Sequence, residues 1–240
     1  MKSGDMYING QYLKHNPSWG VEDAAWKADQ IFHLIQKNGL TPHTICEAGC
    51  GSGEILRQLQ GKMDDTCHFE GYDIAPQAIV LANQRSNQKL IFKLKNICED
   101  VEISYDLILI IDLIEHLEDY FEFLRILKDK SPYKILHIPL EMFVFSVLYP
   151  GFHRGQRKRV GHLHFFSKDT ALQMLKDLGY EIVDYSYTKG YAFDRHNYGI
   201  KDKILYIPRR LFYPILPDFT VRVFGGHSLL VLVKCLNETG

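Results

Sequence analysis

Glu47-Ala48-Gly49-Cys50-Gly51-Ser52-Gly53 is the stretch on which the reading of this chain turns. The apolar run Thr44 to Ala48 in front of it reads as a strand, and Ile55, Leu56 and Leu59 behind it recur at helical spacing. The three glycines therefore make a strand-to-helix turn. Glycine has no Cβ and tolerates positive φ, so the backbone of such a turn can approach a ligand closely. Twenty residues beyond Gly53, Asp73 ends the run Phe69-Glu70-Gly71-Tyr72-Asp73. A carboxylate at that strand end can accept hydrogen bonds from both hydroxyls of a ribose. Turn and carboxylate together predict a nucleoside-bearing cofactor.

Outward from this centre the pattern alternates. Val21, Ala24, Ala25, Ala28, Ile31, Phe32 and Ile35 predict an amphipathic helix that stops at Asn38-Gly39. Strands are predicted at Cys67 to Tyr72, Leu90 to Leu94, Tyr105 to Ile111 and Lys134 to Ile138, with helical segments after Pro76 and Asp119. Such alternation predicts a doubly wound α/β fold, a parallel sheet with helices on both faces. Ser167 is a suitable N-cap for a helix to Leu178, stopped by Gly179, and strands follow at Tyr180 to Tyr187 and His227 to Cys235. The connection between those two strands is longer than usual and should carry structure of its own. A chain of 240 residues fits a single domain, with residues 1–40 as an N-terminal helical lid and 188–226 as an insertion before the last strand.

Composition narrows the function classes. With a formal net charge of −1, the chain has no overall attraction for polyanions, and no nucleic-acid partner is expected. Cys46, Cys50, Cys67, Cys98 and Cys235 form neither a CxxC pair nor an even disulfide framework, which points to a reducing, cytoplasmic setting. The N-terminal MKSGDMYINGQ lacks the apolar stretch of a signal peptide, and the longest uncharged apolar run, Met142 to Phe152, is too short to span a bilayer.

Glu47 followed by Gly49, Gly51 and Gly53 resembles the first motif of the class I S-adenosylmethionine-dependent methyltransferases, where dinucleotide dehydrogenases place the third glycine one position later. The resemblance extends through Tyr105-Asp106-Leu107-Ile108-Leu109-Ile110-Ile111-Asp112-Leu113-Ile114-Glu115-His116-Leu117. It continues in Gly161-His162-Leu163-His164-Phe165-Phe166-Ser167 and Leu178-Gly179-Tyr180-Glu181-Ile182, as in the small-molecule, type 11/12/23-like subgroup. It covers about residues 41–187 and the last strand. It implies a seven-stranded sheet of order 3-2-1-4-5-7-6 with strand 7 antiparallel, S-adenosylmethionine as cofactor, and cofactor contacts from Glu47, Gly49, Gly51, Gly53, Asp73, Ile74, Asn96, Ile97 and Asp112. Many relatives have an Asp near the adenine where this chain has Lys95-Asn96-Ile97; the Asn96 side-chain carbonyl can still accept from the adenine amino group.

Methyl transfer from a sulfonium is a one-step displacement, so the protein has to align the reactants and exclude water. A hydroxyl acceptor also needs a base. Glu141 leaves the fifth strand at the mouth where ligands bind and is the first choice, followed by His162, favoured by the resemblance, and His116. His162 and His164 alternate along an extended segment, so at most one reaches the pocket. No metal is expected, because His116, His137, His153, His162, His164 and Glu141 show no recognised ligand spacing.

Substrate contacts are expected from two regions. Trp26 falls out of phase with the apolar stripe of the first helix, and a lid over cofactor or acceptor is the functional reading of Trp19 and Trp26. The run His153-Arg154-Gly155-Gln156-Arg157-Lys158-Arg159 reads as a basic loop after the fifth strand, in which Arg157 and Arg159 could hold a phosphate or carboxylate of the substrate. Pro208-Arg209-Arg210-Leu211-Phe212-Tyr213-Pro214 interleaves basic and apolar residues and suits a pocket cap, a homodimer contact or peripheral contact with a membrane surface. The leading expectation is O- or N-methylation of a small-molecule acceptor, such as a sugar or anionic metabolite. A macromolecular acceptor and a catalytically silent binding domain are the alternatives; the Asn-Pro-Pro-Tyr type of signature is absent, the fourth strand giving Ile111-Asp112-Leu113.

Overall fold

A computed structural model describes residues 19–189 and 200–236. Strands β1 (Thr44–Ala48), β2 (His68–Asp73), β3 (Leu90–Leu94), β4 (Leu107–Ile111), β5 (Tyr133–Pro139), β6 (Tyr180–Thr188) and β7 (Ser228–Cys235) form one sheet of order β3-β2-β1-β4-β5-β7-β6. All neighbours run parallel except β7, which is antiparallel to β5 and to β6. The order and the reversed strand are those the sequence resemblance implied. Every residue of β4 is buried, as expected for a central strand covered on both faces.

Helices α1 (Val21–Lys37) and α2 (Glu54–Gln60) cover one face, where Ala28, Ile31, Leu34, Ile35, Leu56 and Leu59 pack on Ile45, Leu107 and Leu109. On the other face α4 (Tyr120–Lys128) and α7 (Lys168–Asp177) press Leu124, Leu127, Ala171 and Leu175 onto Ile108, Ile110 and Leu136. Helix α3 (Pro76–Asn83) packs beside β2 and β3. The alternation of strand faces thus divides the apolar residues into two cores, and the chain reverses its winding between β1 and β4. Ligands of open α/β sheets bind at the carboxyl ends of the strands beside such a switch point.

Five strands, β2, β4, β5, β6 and β7, differ from expectation by one or two residues at a boundary, and one element differs in kind. β4 starts at Leu107 because the Asp106 carboxylate is occupied in accepting from the backbone amides of His43 and Thr44, at 2.7 and 2.9 Å, which ties down the entry to β1. β2 runs from His68 to Asp73, one residue later than the apolar pattern suggested. The basic run is not a loop: after the short helix α5 (Val144–Leu148), Gly151 at φ 87° opens helix α6 (Phe152–Arg159). Gln, Arg and Lys are good helix formers, and the charge pattern alone hid that preference. The expected insertion carries α8 (Ile200–Phe212) and α9 (Pro217–Phe224). Residues 1–18 of the expected lid and 190–199 of the insertion lie outside the described residues.

Gly53 shows why the turn needs glycine. Its φ is 74°, and a Cβ there would collide with the Phe92 ring and the Ala82 methyl. Gly53→Ala should lower unfolding free energy by about 1 to 3 kcal/mol through combined backbone strain and overpacking. Urea titration checks this, and Phe92→Ala in the same chain should recover part of the loss.

Candidate active site

The glycine turn is held by hydrogen bonds to the end of β2. The amides of Gly49 and Cys50 donate to the Tyr72 carbonyl at 2.8 and 3.0 Å, and the amide of Gly51 donates to Asp73 Oδ2 at 2.9 Å. Ala75 donates to Asp73 Oδ1 at 2.8 Å. Burial raises the Asp73 pKa, and these backbone N–H groups work against that rise. Each carboxylate oxygen keeps acceptor capacity beyond its backbone bond, as binding a ribose diol requires.

A cavity of about 950 Å³ opens over this turn, in the size range of small-ligand sites. Gly49, Gly51, Asp73, Ile74, Asn96 and Ile97 line one end of it. Gly53 does not; it starts α2 behind the turn. The Asn96 side-chain carbonyl accepts from the Cys98 amide at 3.0 Å and caps the 3-10 turn Ile97–Glu99, which leaves it a second lone pair for a ligand. Trp19 and Trp26 stand on the wall contributed by the start of α1, with Trp26 edge-on to the His137 ring at 6.4 Å between centroids.

Buried carboxyl groups line the floor. Glu47 is 1% exposed, and its Oε2 has no hydrogen-bond partner. Burial pushes the Glu47 pKa well up, with the Lys27 charge opposing. Asp112, at φ 48° on leaving β4, lies 2.8 Å from Lys27 Nζ and 2.6 Å from His137 Nδ1. Burial alone would raise its pKa; the charges of His137 and Lys27 outweigh that and hold it well below the carboxylate range. Lys27 also meets Asp23 at 2.8 Å, and His137 Nε2 meets Thr188 Oγ1 at 2.8 Å. Asp112 thus fastens α1 to β5 and β6 while it also lines the cavity, where it was expected to meet the cofactor.

His116, His162 and Glu115 also line the cavity. His162 Nδ1 is 2.6 Å from Glu141 Oε2, and Gln156 Nε2 donates to the other Glu141 oxygen. Glu141 does not line the cavity, whereas His162 does. This corrects the first choice of base: Glu141 stands behind His162 and orients it. The alternation argument for the two histidines agrees with the structure, since His164 points away and its Nε2 meets the Leu117 carbonyl at 2.9 Å. Burial, aided by the His162 charge, lowers the His116 pKa to about 4. Arg157 and Arg159, expected at the substrate, are exposed on α6 outside the cavity wall. Glu115 was missed by the sequence reading. It is 1% exposed, and the only signal for it was its place before His116 in the segment after β4.

The sequence matches the methyltransferase-domain family over residues 23–185. The chain belongs to the S-adenosylmethionine-dependent methyltransferases. No curated protein matches it significantly. Solved methyltransferases share the fold at low identity. A chain from the complex between the Haloferax volcanii Trm112 methyltransferase activator and its methyltransferase is 13% identical, with 100% of both chains covered and a TM-score of 0.67. Magnesium protoporphyrin IX methyltransferase from Synechocystis PCC 6803, with bound S-adenosylhomocysteine, is 15% identical over 88% of this chain and 83% of that one, TM-score 0.58. The plantazolicin methyltransferase BpumL, in complex with a monoazolic desmethylplantazolicin analogue and S-adenosylhomocysteine, is 17% identical over 98% and 94%, TM-score 0.59.

The residues of this methyltransferase fit the cofactor: a diol acceptor at Asp73, a backbone cradle at Gly51, and the unpartnered Glu47 oxygen for a cation such as the cofactor's ammonium. Asp73→Ala should weaken S-adenosylhomocysteine binding by about 2 to 3 kcal/mol, the scale of hydrogen bonds to a charged group. Calorimetry on the variant, with circular dichroism to confirm the fold, reads this directly.

Proposed function

We propose that this methyltransferase O-methylates a hydroxyl of a small organic acceptor. The observation that carries this reading is the Glu141–His162 pair, whose histidine lines the same cavity as Gly51 and Asp73. Bound in that cavity, S-adenosylmethionine supplies an electrophilic methyl group on a sulfonium. Asp73 would hold the ribose, Ile74 and Ile97 the faces of the adenine, and Glu47 the ammonium. Trp19 and Trp26 would help exclude water on the α1 side.

The acceptor enters toward His162. Because a carboxylate can only accept, Glu141 keeps the proton on Nδ1 and leaves Nε2 as the basic nitrogen. That nitrogen meets the acceptor hydroxyl and eases loss of its proton as oxygen attacks the methyl carbon. A floor reached through a cavity, with Glu47 and Glu115 deeply buried, favours a small molecule over a surface-bound polymer. The reading of an anionic acceptor loses its basis, since Arg157 and Arg159 stand outside the cavity. The cytoplasmic setting stays a proposal from cysteine usage; among the described residues, no helix is long and apolar enough to cross a membrane.

Mass spectrometry of hydroxylated metabolites incubated with protein and S-adenosylmethionine tests the class, through the gain of one methylene mass. With the acceptor so found, His162→Ala should lower turnover by about two to four orders of magnitude, the usual scale for loss of acid–base help. Glu141→Gln, which removes only the orienting charge, should cost about 10- to 100-fold. Unchanged turnover in both variants would contradict the assignment.

A further inference from the structure

Glu115, His116 and His162 each offer one ligand atom, and the three atoms lie within 4.8 Å of one another. Among the described residues this is the one such group, and it faces the cavity. The backbone builds it. β4 ends in the 3-10 turn Ile114–His116, and the strap that carries His162 is stapled to that turn by the amides of Leu163 and His164, which donate to the Glu115 carbonyl at 2.7 and 3.2 Å. The His116 and His162 rings then meet edge-on at 4.8 Å between centroids.

Two features suit a cation. Neither Glu115 side-chain oxygen has a hydrogen-bond partner, although the residue is 1% exposed and His116 Nε2 lies 3.9 Å from Oε1; a carboxyl group buried in that state must either hold a proton or have its charge compensated by a cation. His162 is backed by a carboxylate on Nδ1, the arrangement that orients a metal-ligating imidazole and leaves Nε2 to bind. The geometry points to a divalent-cation site formed by Glu115, His116 and His162. Two imidazoles and one carboxylate select a transition-metal ion of the zinc or manganese class over calcium or magnesium, which prefer all-oxygen shells. The sequence expectation of no metal rested on spacing among histidines and Glu141 and did not include Glu115.

Its role, though not its existence, rests on the O-methylation reading. There the cation would lower the pKa of the acceptor hydroxyl, which gives its proton to solvent. The oxygen–methyl bond then forms as the carbon–sulfur bond breaks, with the electron pair going to sulfur. His162 serves in that case as ligand rather than as proton acceptor.

Calorimetric titration of chelator-treated protein with Zn2+ or Mn2+ alone, without acceptor, tests the site. One saturable equivalent is expected, weakened at least tenfold in both Glu115→Gln and His162→Gln, while S-adenosylhomocysteine affinity, which also reports folding, stays within about twofold. Absence of saturable binding, or binding retained in both variants, overturns the metal site. The O-methylation reading would survive that result, because it is tested separately by the methylene gain.

A separate surface carries a second inference. Val147 (66% exposed), Leu148 (70%) on α5, Leu211 (64%) on α8 and Ile215 (76%) after it present large apolar side chains to solvent. These segments adjoin: Phe145 and Phe212 each stack on Phe224 of α9, at 6.0 and 5.9 Å. Segments 142–160 and 205–217 contain no acidic residue in a chain of net charge −1. They expose Arg154, Arg157, Lys158, Arg159 and Arg210. Apolar tips beside cations that form no ion pair among the described residues would repel a second copy of the same face and complement an anionic surface. We infer that this face docks on anionic lipid bilayers, its apolar residues entering the headgroup boundary.

Vesicle cosedimentation tests it. Binding is expected to vesicles of phosphatidylcholine with phosphatidylglycerol, to fall in high salt and in pure phosphatidylcholine, and to drop at least tenfold in Leu148→Glu/Leu211→Glu. No binding to the anionic vesicles, undiminished binding of the double variant, or a dimer in sedimentation velocity that the same variant dissociates would overturn it.

Discussion

A cluster of buried carboxyl groups at the carboxyl ends of the strands is the constraint around which this methyltransferase is organised. Glu47, Asp73, Asp112, Glu115 and Glu141 all lie at or behind one cavity, and Lys27 is the ammonium buried among them. Lys27 balances Asp112 and Asp23, Glu141 is balanced by His162 and Gln156, and Asp73 by backbone amides. Glu47 Oε2 and both oxygens of Glu115 have no hydrogen-bond partner, although His116 Nε2 lies 3.9 Å from Glu115 Oε1. Buried carboxylates of this kind are costly unless a ligand completes them. Two groups of the lining therefore suit positive charge: Glu47 a cationic cofactor and, on the proposal of a cation site, Glu115 with its two histidines a metal ion.

The neutralised part of that charge also builds the fold. Asp112 draws Lys27 from α1 and His137 from β5 into one cluster, which extends through Thr188 to β6. Breaking such a buried pair strands the remaining charge and is strongly destabilising. Lys27 and Asp112 therefore set where α1, with Trp26 one residue before the lysine, sits over the cavity.

Much of this was legible in sequence because it depends on local rules. The glycine turn, the carboxylate at Asp73, the Ser167 cap and the phase of Trp26 are each fixed by a few neighbouring residues, and the structure places them as read. The cofactor end of the cavity follows from these. What failed depends on contacts far apart in sequence. Glu141 reads as a base from its position after β5, but His162, twenty-one residues on, comes between it and the cavity. Glu115 becomes a candidate ligand only once the Gly161–His164 strap folds back on its carbonyl. The basic run was read from charge alone, and the helix it forms faces away from the cavity wall where Arg157 and Arg159 were expected.

A crystal structure of the protein with S-adenosylhomocysteine, grown in the presence of Mn2+, is the most direct test of the account. It should show both ribose hydroxyls on Asp73, the α-ammonium near Glu47, and the sulfur directed along the cavity toward a metal peak among Glu115, His116 and His162. A ligand seated elsewhere, with Asp73 still bound only by Gly51 and Ala75, would contradict it.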